Sequence, residues 1–226
     1  MRVLVLQPMS STQIPYTEPA YLFPPRPTRK IKPSNLSKYE GEKYVLQPKM
    51  DGSCAVIFTN GRETIVKNRH RKGFSRFKMD MRELTNVHRG EEGTWMVLIG
   101  EYMNKSRRDE LGCVWNEKIV IFDILVYESK LLIGMKMDDR LLLLEDLYPD
   151  RAFKPYLSKI SKNIWRVMNI RENDGYMEKF TDITKINMYE GFVLKQRDAG
   201  LKPPYRCKDN SAYQLKVRKS TENYRY

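Results

Sequence analysis

The sequence has few of the residues that build metal centres and disulfide scaffolds. Its 226 residues include two histidines, His70 and His88, and three cysteines, Cys54, Cys113 and Cys207, with no Cys-x-x-Cys spacing. A structural zinc site needs four Cys or His ligands, and a disulfide framework needs paired cysteines. We therefore expect neither a zinc module nor a disulfide-stabilised domain.

Long apolar runs are also missing near the amino terminus. The first nine residues contain an apolar run of only four, ended by Gln7 and Pro8. A membrane-spanning helix needs ~20 apolar residues, and a signal-peptide core needs about 7–15. We expect no membrane association and a reducing, cytoplasmic location, which would be the host cytoplasm for a viral protein.

The chain does carry a large positive charge and enough apolar residues for a core. Lys and Arg number 41 and Asp and Glu number 28, which leaves a net charge of +13, and hydrophobic residues make up 41%. Such a surplus favours polyanions: nucleic acid, nucleotides or acidic lipid surfaces. Charge alone does not choose among them.

Proline and basic residues concentrate near the start of the chain. Six of the twelve prolines lie between Pro15 and Pro33, in a stretch that also contains four Lys or Arg residues. Proline favours extended backbone and ends regular elements. We expect residues 1–33 to form an extended basic arm, packed on or leading into a domain that comprises residues 34–226.

The rest of the chain predicts a mainly antiparallel α+β domain. Short β-rich runs are separated by Asp51-Gly52 and Asn60-Gly61, which are typical hairpin turns. Helical patterns cover 138–147, 158–169 and 172–180, and Asp138 or Asp139 is a candidate cap for the first. The predicted strands are 44–46, 54–58, 64–66, 95–99, 118–126, 191–195 and 213–217.

Five short segments carry the signal for function. The first is Lys49-Met50-Asp51-Gly52, which alone is more typical of a hairpin turn than of a catalytic site. The others follow in order: Gly-Glu-Tyr at 100–102, Ile-Phe-Asp-Ile-Leu at 121–125, Glu-Gly-Phe-Val-Leu-Lys at 190–195, and Gln-Leu-Lys-Val-Arg at 214–218.

Together, these segments resemble motifs I, III, IIIa, IV and V of the covalent nucleotidyltransferase superfamily, in order and in approximate spacing. That superfamily contains ATP-dependent DNA ligases, RNA ligases and GTP-dependent mRNA capping enzymes. The resemblance covers residues from about Lys30 to the end and is greatest to compact phage-type DNA ligases. It implies an antiparallel-sheet, ATP-grasp-like adenylation domain over residues 34–226.

The resemblance implies a ligase that uses ATP and Mg²⁺, with Mn²⁺ as a substitute metal, and that acts on nucleic acid. Lys49 would be the nucleophile that accepts AMP, assisted by Lys216 and Arg218 as catalytic cations. An amine attacks phosphorus only when it is unprotonated, and nearby cations lower its pKa. Residues two apart on a strand share a face, so Lys216 and Arg218 would act together.

Other residues receive roles by the same resemblance. Glu101 would bind the ribose hydroxyls, Phe122 would stack on the purine, and Glu190 would bind the metal. Arg69, in a weak match to motif Ia, would contact the ribose or the nucleic acid. The implied nucleotide-binding set is Gln47, Asp51, Gly52, Arg69, Glu101, Phe122, Glu190, Lys195 and Lys216.

Each assignment has a purely structural alternative. Phe122 lies in an apolar strand, where burial alone would explain it. Lys216 and Arg218 could form a solvated strand edge, Glu101 could be a solvated turn residue, and Arg69 could belong to a surface charge cluster.

Two positions depart from the pattern of many DNA ligases. Cys54 stands where an arginine is common, which is closer to some RNA ligases. Gln47 stands where a glutamate often reads adenine, but its carbonyl oxygen can still accept from an exocyclic amine. DNA ligase, RNA ligase, capping guanylyltransferase and a non-catalytic nucleic-acid-binding relative are therefore the candidate functions, in that order.

The chain ends ten residues after Lys216, where most relatives continue into an OB-fold of roughly a hundred residues. We expect a catalytic domain without an OB-fold, acting as a monomer, with a possible partner protein in its place. Its positive charge would then hold phosphates without a clamp, and its activity would be steeply salt-sensitive.

Overall fold

The computed structural model describes residues 14–172, 174–206 and 213–220. The first part of the predicted arm and Cys207 lie outside the described residues. The described strands are β1 Arg29–Lys30, β2 Tyr44–Met50, β3 Ser53–Thr59, β4 Thr64–Asn68, β5 Met96–Tyr102, β6 Arg107–Arg108, β7 Val114–Trp115, β8 Ile119–Tyr127, β9 Lys130–Leu131, β10 Phe153–Lys154, β11 Leu157–Lys159, β12 Ile164–Val167, β13 Tyr189–Gln196 and β14 Gln214–Arg218. The helices are the 3-10 helix η1 Pro33–Tyr39 and the α-helices α1 Met81–Thr85, α2 Met137–Leu147 and α3 Tyr176–Lys185.

The strands form two main sheets and one small hairpin. The larger sheet has the order β10-β11-β12-β8-β5-β3-β4, with β9 paired to β8, and the smaller has the order β1-β14-β13-β2. Two pairings are parallel, β1 with β14 and β12 with β8, and the others are antiparallel. The α+β prediction is confirmed, and the strand predicted at 118–126 is β8, which lies inside the larger sheet between β12 and β5.

Apolar side chains from the two sheets form two main clusters. One is built on β3, β5 and β8 with α1 and α2, and it also takes in Tyr16 and Leu22 from the proline-rich segment. The other lies between the smaller sheet, η1 and α3. The described part of the proline-rich segment therefore packs on the domain, and its last residues pair with β14.

The predicted Asp51-Gly52 hairpin is wrong, although the Asn60-Gly61 hairpin is present. β3 pairs with β4 around Asn60-Gly61, but β2 pairs with β13 in the smaller sheet and β3 belongs to the larger one. The segment after Lys49 therefore passes from one sheet to the other. This crossing brings the lysine between the sheets.

The helix predicted over 158–169 is also wrong, because the segment forms β11 and β12. All four residues of β12 are buried, and the strand pairs in parallel with β8. Arg166 in this strand is 2% exposed and donates to the Tyr148 carbonyl oxygen. A strand that is buried on both faces lacks the alternation that separates a strand from a helix.

The other two helices differ from expectation in detail. α2 occupies the predicted segment, but its N-cap is Lys136, while Asp138 and Asp139 lie in the first turn. α3 starts later than predicted, after Gly175 in a left-handed conformation (φ 65°), and continues to Lys185. Gly175 breaks the helical backbone and so sets the start of α3.

Candidate nucleotide-binding site

A cavity of about 970 Å³ lies between the two sheets and the proline-rich segment. Its size is in the range of small-molecule and cofactor sites. Seven Lys or Arg residues and two Glu residues line it, an excess of positive charge that favours a polyanionic ligand.

Side chains alternate between the two faces of each strand in the smaller sheet, and this alternation explains one wall of the cavity. Cross-strand partners share a face, and β13 pairs Val193 with Gln47 on β2 and with Lys216 on β14. Side chains on the opposite face, such as Phe192 and Leu194, enter the apolar cluster. The residues that these three strands contribute to the cavity include Gln47, Lys49, Glu190, Val193, Lys195, Gln214, Lys216 and Arg218.

Glu190 bridges two of the predicted catalytic cations. Its Oε2 lies 2.7 Å from Lys49 Nζ and 3.0 Å from Arg218 Nε. The main chain there is irregular: the β2–β13 register shifts between Tyr189 and Gly191. Gly191 has φ 143°, and a Cβ on it would lie 2.3 Å from the Val217 carbonyl oxygen, so only glycine fits. This bulge allows Glu190 to reach both cations.

The larger sheet supplies the facing residues Cys54, Glu101 and Phe122. Glu101 lies within β5, not after it as predicted, and its Oε1 accepts from the Gly52 backbone N–H at 3.1 Å. A Cβ on Gly52 would lie 2.4 Å from the Tyr102 carbonyl oxygen, so this close approach requires glycine. Burial raises the pKa of the Cys54 thiol to about 12, so it stays protonated at neutral pH.

Glu101 has a strongly shifted pKa. Burial raises the pKa of its carboxyl to about 7, against the opposing effect of the Lys49 charge, and the Glu190 charge adds to the rise. Such shifts are common at functional sites, and here burial is the dominant cause. Glu101 therefore changes charge near neutral pH.

We predict that Glu101→Gln removes a pH-dependent loss of stability. Because the pKa of Glu101 in the folded protein lies above its ordinary value of 4.5, the wild type is most stable relative to the variant below pH 4.5. That advantage is lost as pH rises from 4.5 to about 7, by at most about 3 kcal/mol, since solvent reaches part of this side chain. Chemical denaturation of both proteins at several pH values measures the difference.

Glu83→Gln is the matched control for that experiment. Burial opposes ionisation of Glu83, but hydrogen bonds from Ser161 and Asn163 hold its pKa below the usual value. The stability of the wild type relative to this variant should therefore rise with pH, the opposite sign. If the stability difference between the wild type and Glu101→Gln does not change with pH, the raised pKa assigned to Glu101 is wrong.

Lys195 is buried beneath the cavity and belongs to a charged network that the sequence interpretation did not describe. Its Nζ donates to the Phe122 carbonyl oxygen at 2.9 Å and lies 3.9 Å from Asp123, which pairs with the buried Arg140 at 3.1 Å. Burial lowers the pKa of Lys195 to about 8, although the Asp123 charge opposes this. The network holds the backbone at Phe122.

Phe122 itself is half-buried and lines the cavity, so its ring is not a fully buried core side chain. Gln47 also lines the cavity, and its Nε2 donates to the Phe122 carbonyl oxygen at 3.2 Å. Arg69 is exposed at the rim, and Lys216 Nζ donates to the Pro27 carbonyl oxygen of the proline-rich segment at 3.1 Å.

Asp51 is the one predicted nucleotide-binding residue that does not line the cavity. Its carboxylate forms ion pairs with Lys105, at 3.1 Å, and with Arg107. Burial alone would raise the pKa of Asp51, but these two cations hold it below its usual value. The structure therefore assigns Asp51 a contact with the segment around β6 instead of a place in the cavity wall.

The sequence interpretation also missed several residues. Three residues line the cavity but belong to none of the five segments that carry the resemblance: Arg26, Lys72 and Asn104. The buried Asp123–Arg140 pair did have a signal, since a carboxylate inside an apolar strand must be paired. Arg26 belongs to the predicted basic arm, but its place in the cavity wall depends on how that segment packs on the domain, which local pattern does not show.

Candidate ligands for a metal are sparse. Across residues 14–172, 174–206 and 213–220, no group of three or more His, Cys, Asp or Glu side chains could hold a metal ion. Glu190 and Glu101 are the carboxylates at the cavity. Mg²⁺ commonly binds through one or two carboxylates plus substrate phosphates and water, so these two glutamates fit a metal that enters with a nucleotide.

Among the residues that the structure describes, no helix is long and apolar enough to span a bilayer.

Solved structures that match this chain include DNA ligases. A mycobacterial DNA ligase D complexed with ATP and MES matches with a TM-score of 0.60 at 19% identity, over 87% of this chain and 60% of that one. The ligase domain of M. tuberculosis LigD matches with 0.55 at 18%, over 86% and 59%. A Lig E DNA ligase, described as binding DNA with a minimal scaffold, matches with 0.50 at 16%, over 86% and 69%.

These matches confirm the predicted fold class, which this chain shares with solved DNA ligase structures. The chain spans about 60% of the length of the first two structures. No family model and no curated protein matches the sequence.

Proposed function

We propose that this protein is an ATP-dependent polynucleotide ligase that joins 5′-phosphate and 3′-hydroxyl ends. The observation that carries the proposal is the position of Lys49: its amine lies in a cation-lined cavity, 2.7 Å from Glu190, with Arg218 paired to the same carboxylate. The fold shared with DNA ligases supports the same reading.

In the first step Lys49 Nζ attacks the α-phosphorus of ATP. A nitrogen–phosphorus bond forms, the bond from that phosphorus to the bridging oxygen breaks, and pyrophosphate leaves with the electron pair. Lys49 loses its ammonium proton to solvent before the attack, and Glu190, 2.7 Å away, holds the amine in place. Lys216 and Arg218 would stabilise the charge that builds on the phosphate oxygens.

Two further transfers complete the reaction. The oxygen of a nucleic-acid 5′-phosphate attacks the lysine-bound phosphorus, the nitrogen–phosphorus bond breaks, and Lys49 leaves as the amine after its nitrogen takes up a proton from solvent. A 3′-hydroxyl then attacks the activated 5′-phosphate, loses its proton, and releases AMP. Each step exchanges one bond at phosphorus, so ATP is the only activating reactant.

The nucleotide would be held by the residues that face it across the cavity. Glu101 would accept from the ribose hydroxyls, and the half-buried ring of Phe122 would stack on the base. Glu190 would hold Mg²⁺ together with the phosphates, and the bound cation would supply charge neutralisation at the transferring phosphate.

DNA is the first candidate substrate, and RNA is the alternative. The fold matches favour DNA, whereas Cys54 lines the cavity at the position where many DNA ligases carry arginine. Sealing assays on nicked duplexes with each combination of DNA and RNA strands decide between them. We expect sealing that needs ATP, Mg²⁺ and a 5′-phosphate.

The control substrate lacks the 5′-phosphate and should not be sealed. If no nicked duplex is sealed with any combination of DNA and RNA strands, the ligase proposal is wrong. Covalent labelling by GTP alone would indicate guanylyl transfer instead.

A further inference from the structure

The side-chain amide of Gln47 is held by two hydrogen-bond acceptors. Its Nε2 donates to the Phe122 carbonyl oxygen at 3.2 Å and to Asn169 Oδ1 at 2.6 Å. A backbone carbonyl oxygen can only accept, so the atom facing it must be the amide nitrogen. Both N–H groups of Gln47 are thereby used. Its Oε1 is the atom left for a bound molecule, and it can only accept.

Asn169 is positioned by the main chain and oriented by an ion pair. Ile170, the next residue, exchanges two backbone hydrogen bonds with Leu46, at 2.9 and 3.0 Å, which places Asn169 beside Gln47. Asn169 Nδ2 donates to Glu145 Oε1 at 2.6 Å. That carboxylate also accepts two hydrogen bonds from Arg171, at 2.9 and 3.1 Å.

These contacts leave one orientation for both amides. An ion-paired carboxylate only accepts, so Glu145 requires the nitrogen of Asn169, and Asn169 then presents its oxygen to Gln47. Turning Gln47 over would place its Oε1 against Asn169 Oδ1 and the Phe122 carbonyl oxygen. It would lose two hydrogen bonds and create two repulsive contacts.

We propose that Asn169, held by Glu145, is a positioning residue that makes Gln47 select a nucleobase with an amino group over one with a carbonyl group. Asn169 does not line the cavity, so it acts through Gln47. The inference rests on the proposed function, which stacks the base of ATP on Phe122, the residue that Gln47 contacts in the cavity wall. It goes further by assigning base selection to a pair of residues on α2 and the segment after β12.

ATP and inosine triphosphate (ITP) are the test ligands, since they differ at the purine 6-position, amino in one and carbonyl in the other. For formation of the covalent lysine adduct, the kcat/KM of the wild type should be at least about tenfold higher with ATP than with ITP. A tenfold ratio corresponds to the free energy of about one hydrogen bond. Asn169→Leu, which leaves Gln47 a single acceptor, should lower this ratio about tenfold.

Asn163→Leu is the matched control. Asn163 also donates through Nδ2 to a glutamate, Glu83, at 3.1 Å, but it does not line the cavity or contact Gln47. Its ratio should equal that of the wild type. If Asn169→Leu does not fold, Glu145→Gln replaces it: an amide there either donates or accepts, so Asn169 can turn over, and the ratio should fall roughly threefold or more.

Binding of the α,β-methylene analogues of ATP and ITP, measured by calorimetry, separates this proposal from the function proposed above. A wild type that binds the ATP analogue more tightly but forms no adduct contradicts the ligase function and leaves the selection measurable by binding. An unchanged ratio in the Asn169 and Glu145 variants overturns the proposal. So does a wild type without preference, or one that binds neither analogue.

Discussion

Replacing Lys49 with alanine should reduce covalent labelling of the protein by radioactive ATP at least about 1000-fold, because the variant has no amine to attack the α-phosphorus. Lys49→Arg should be equally inactive. It keeps a positive charge beside Glu190, but a guanidinium stays protonated at any working pH. The measurement is acid-labile label retained on the denatured chain.

Lys78→Ala is the control for Lys49. Lys78 also pairs with a glutamate, Glu117, at 2.8 Å, but its side chain is 65% exposed and does not line the cavity. Its labelling should equal that of the wild type. Wild-type labelling of either Lys49 variant would show that another group carries the nucleotide.

The second large effect is the loss of affinity for nucleic acid that we expect when the salt concentration rises. Three exposed cations line the cavity rim: Arg26, Arg69 and Lys72. If each neutralises one duplex phosphate, the slope of log affinity against log salt is about −2.7, so raising salt from about 50 to 200 mM weakens binding about fortyfold. Changing all three to glutamine should reduce the steepness of that slope by about 2.7, as measured by fluorescence anisotropy with a nicked duplex.

The control triple variant removes the same charge elsewhere. Lys130, Arg151 and Lys162 are exposed and do not line the cavity. Changing them to glutamine should alter the slope much less. Equal slopes for the two triple variants would indicate that duplex binding follows net charge and not the rim.

Much of the fold was predictable because the strands have clear patterns. The apolar run of β8 and the Asn60-Gly61 turn predict local structure directly. The failures share a cause: local pattern does not show which sheet a strand joins. Asp51-Gly52 looks like a hairpin turn, yet it connects two sheets, and β12 looks helical because both of its faces are buried.

The candidate site was predictable where a residue lies in one of the five segments that carry the resemblance. Lys49, Lys216 and Arg218 face the cavity because their strands alternate as expected. Asp51 differs, because its partners Lys105 and Arg107 follow β5 and no local pattern links them to it.

Long-range hydrogen bonds account for what the sequence could not predict. Asn169 and Gln47 are 122 residues apart, and their contact exists only because the Ile170 backbone bonds to β2. Neither Asn169 nor Glu145 belongs to the five segments that carry the resemblance. Their importance becomes visible only when donors and acceptors are assigned along the whole chain of contacts.

The most direct test of the central claim is peptide mass mapping of the wild-type protein after incubation with ATP and Mg²⁺. We predict one adenylyl group, attached to the peptide that contains Lys49 and released by acid. An unmodified protein, or an adenylyl group attached to any other residue, would contradict the account.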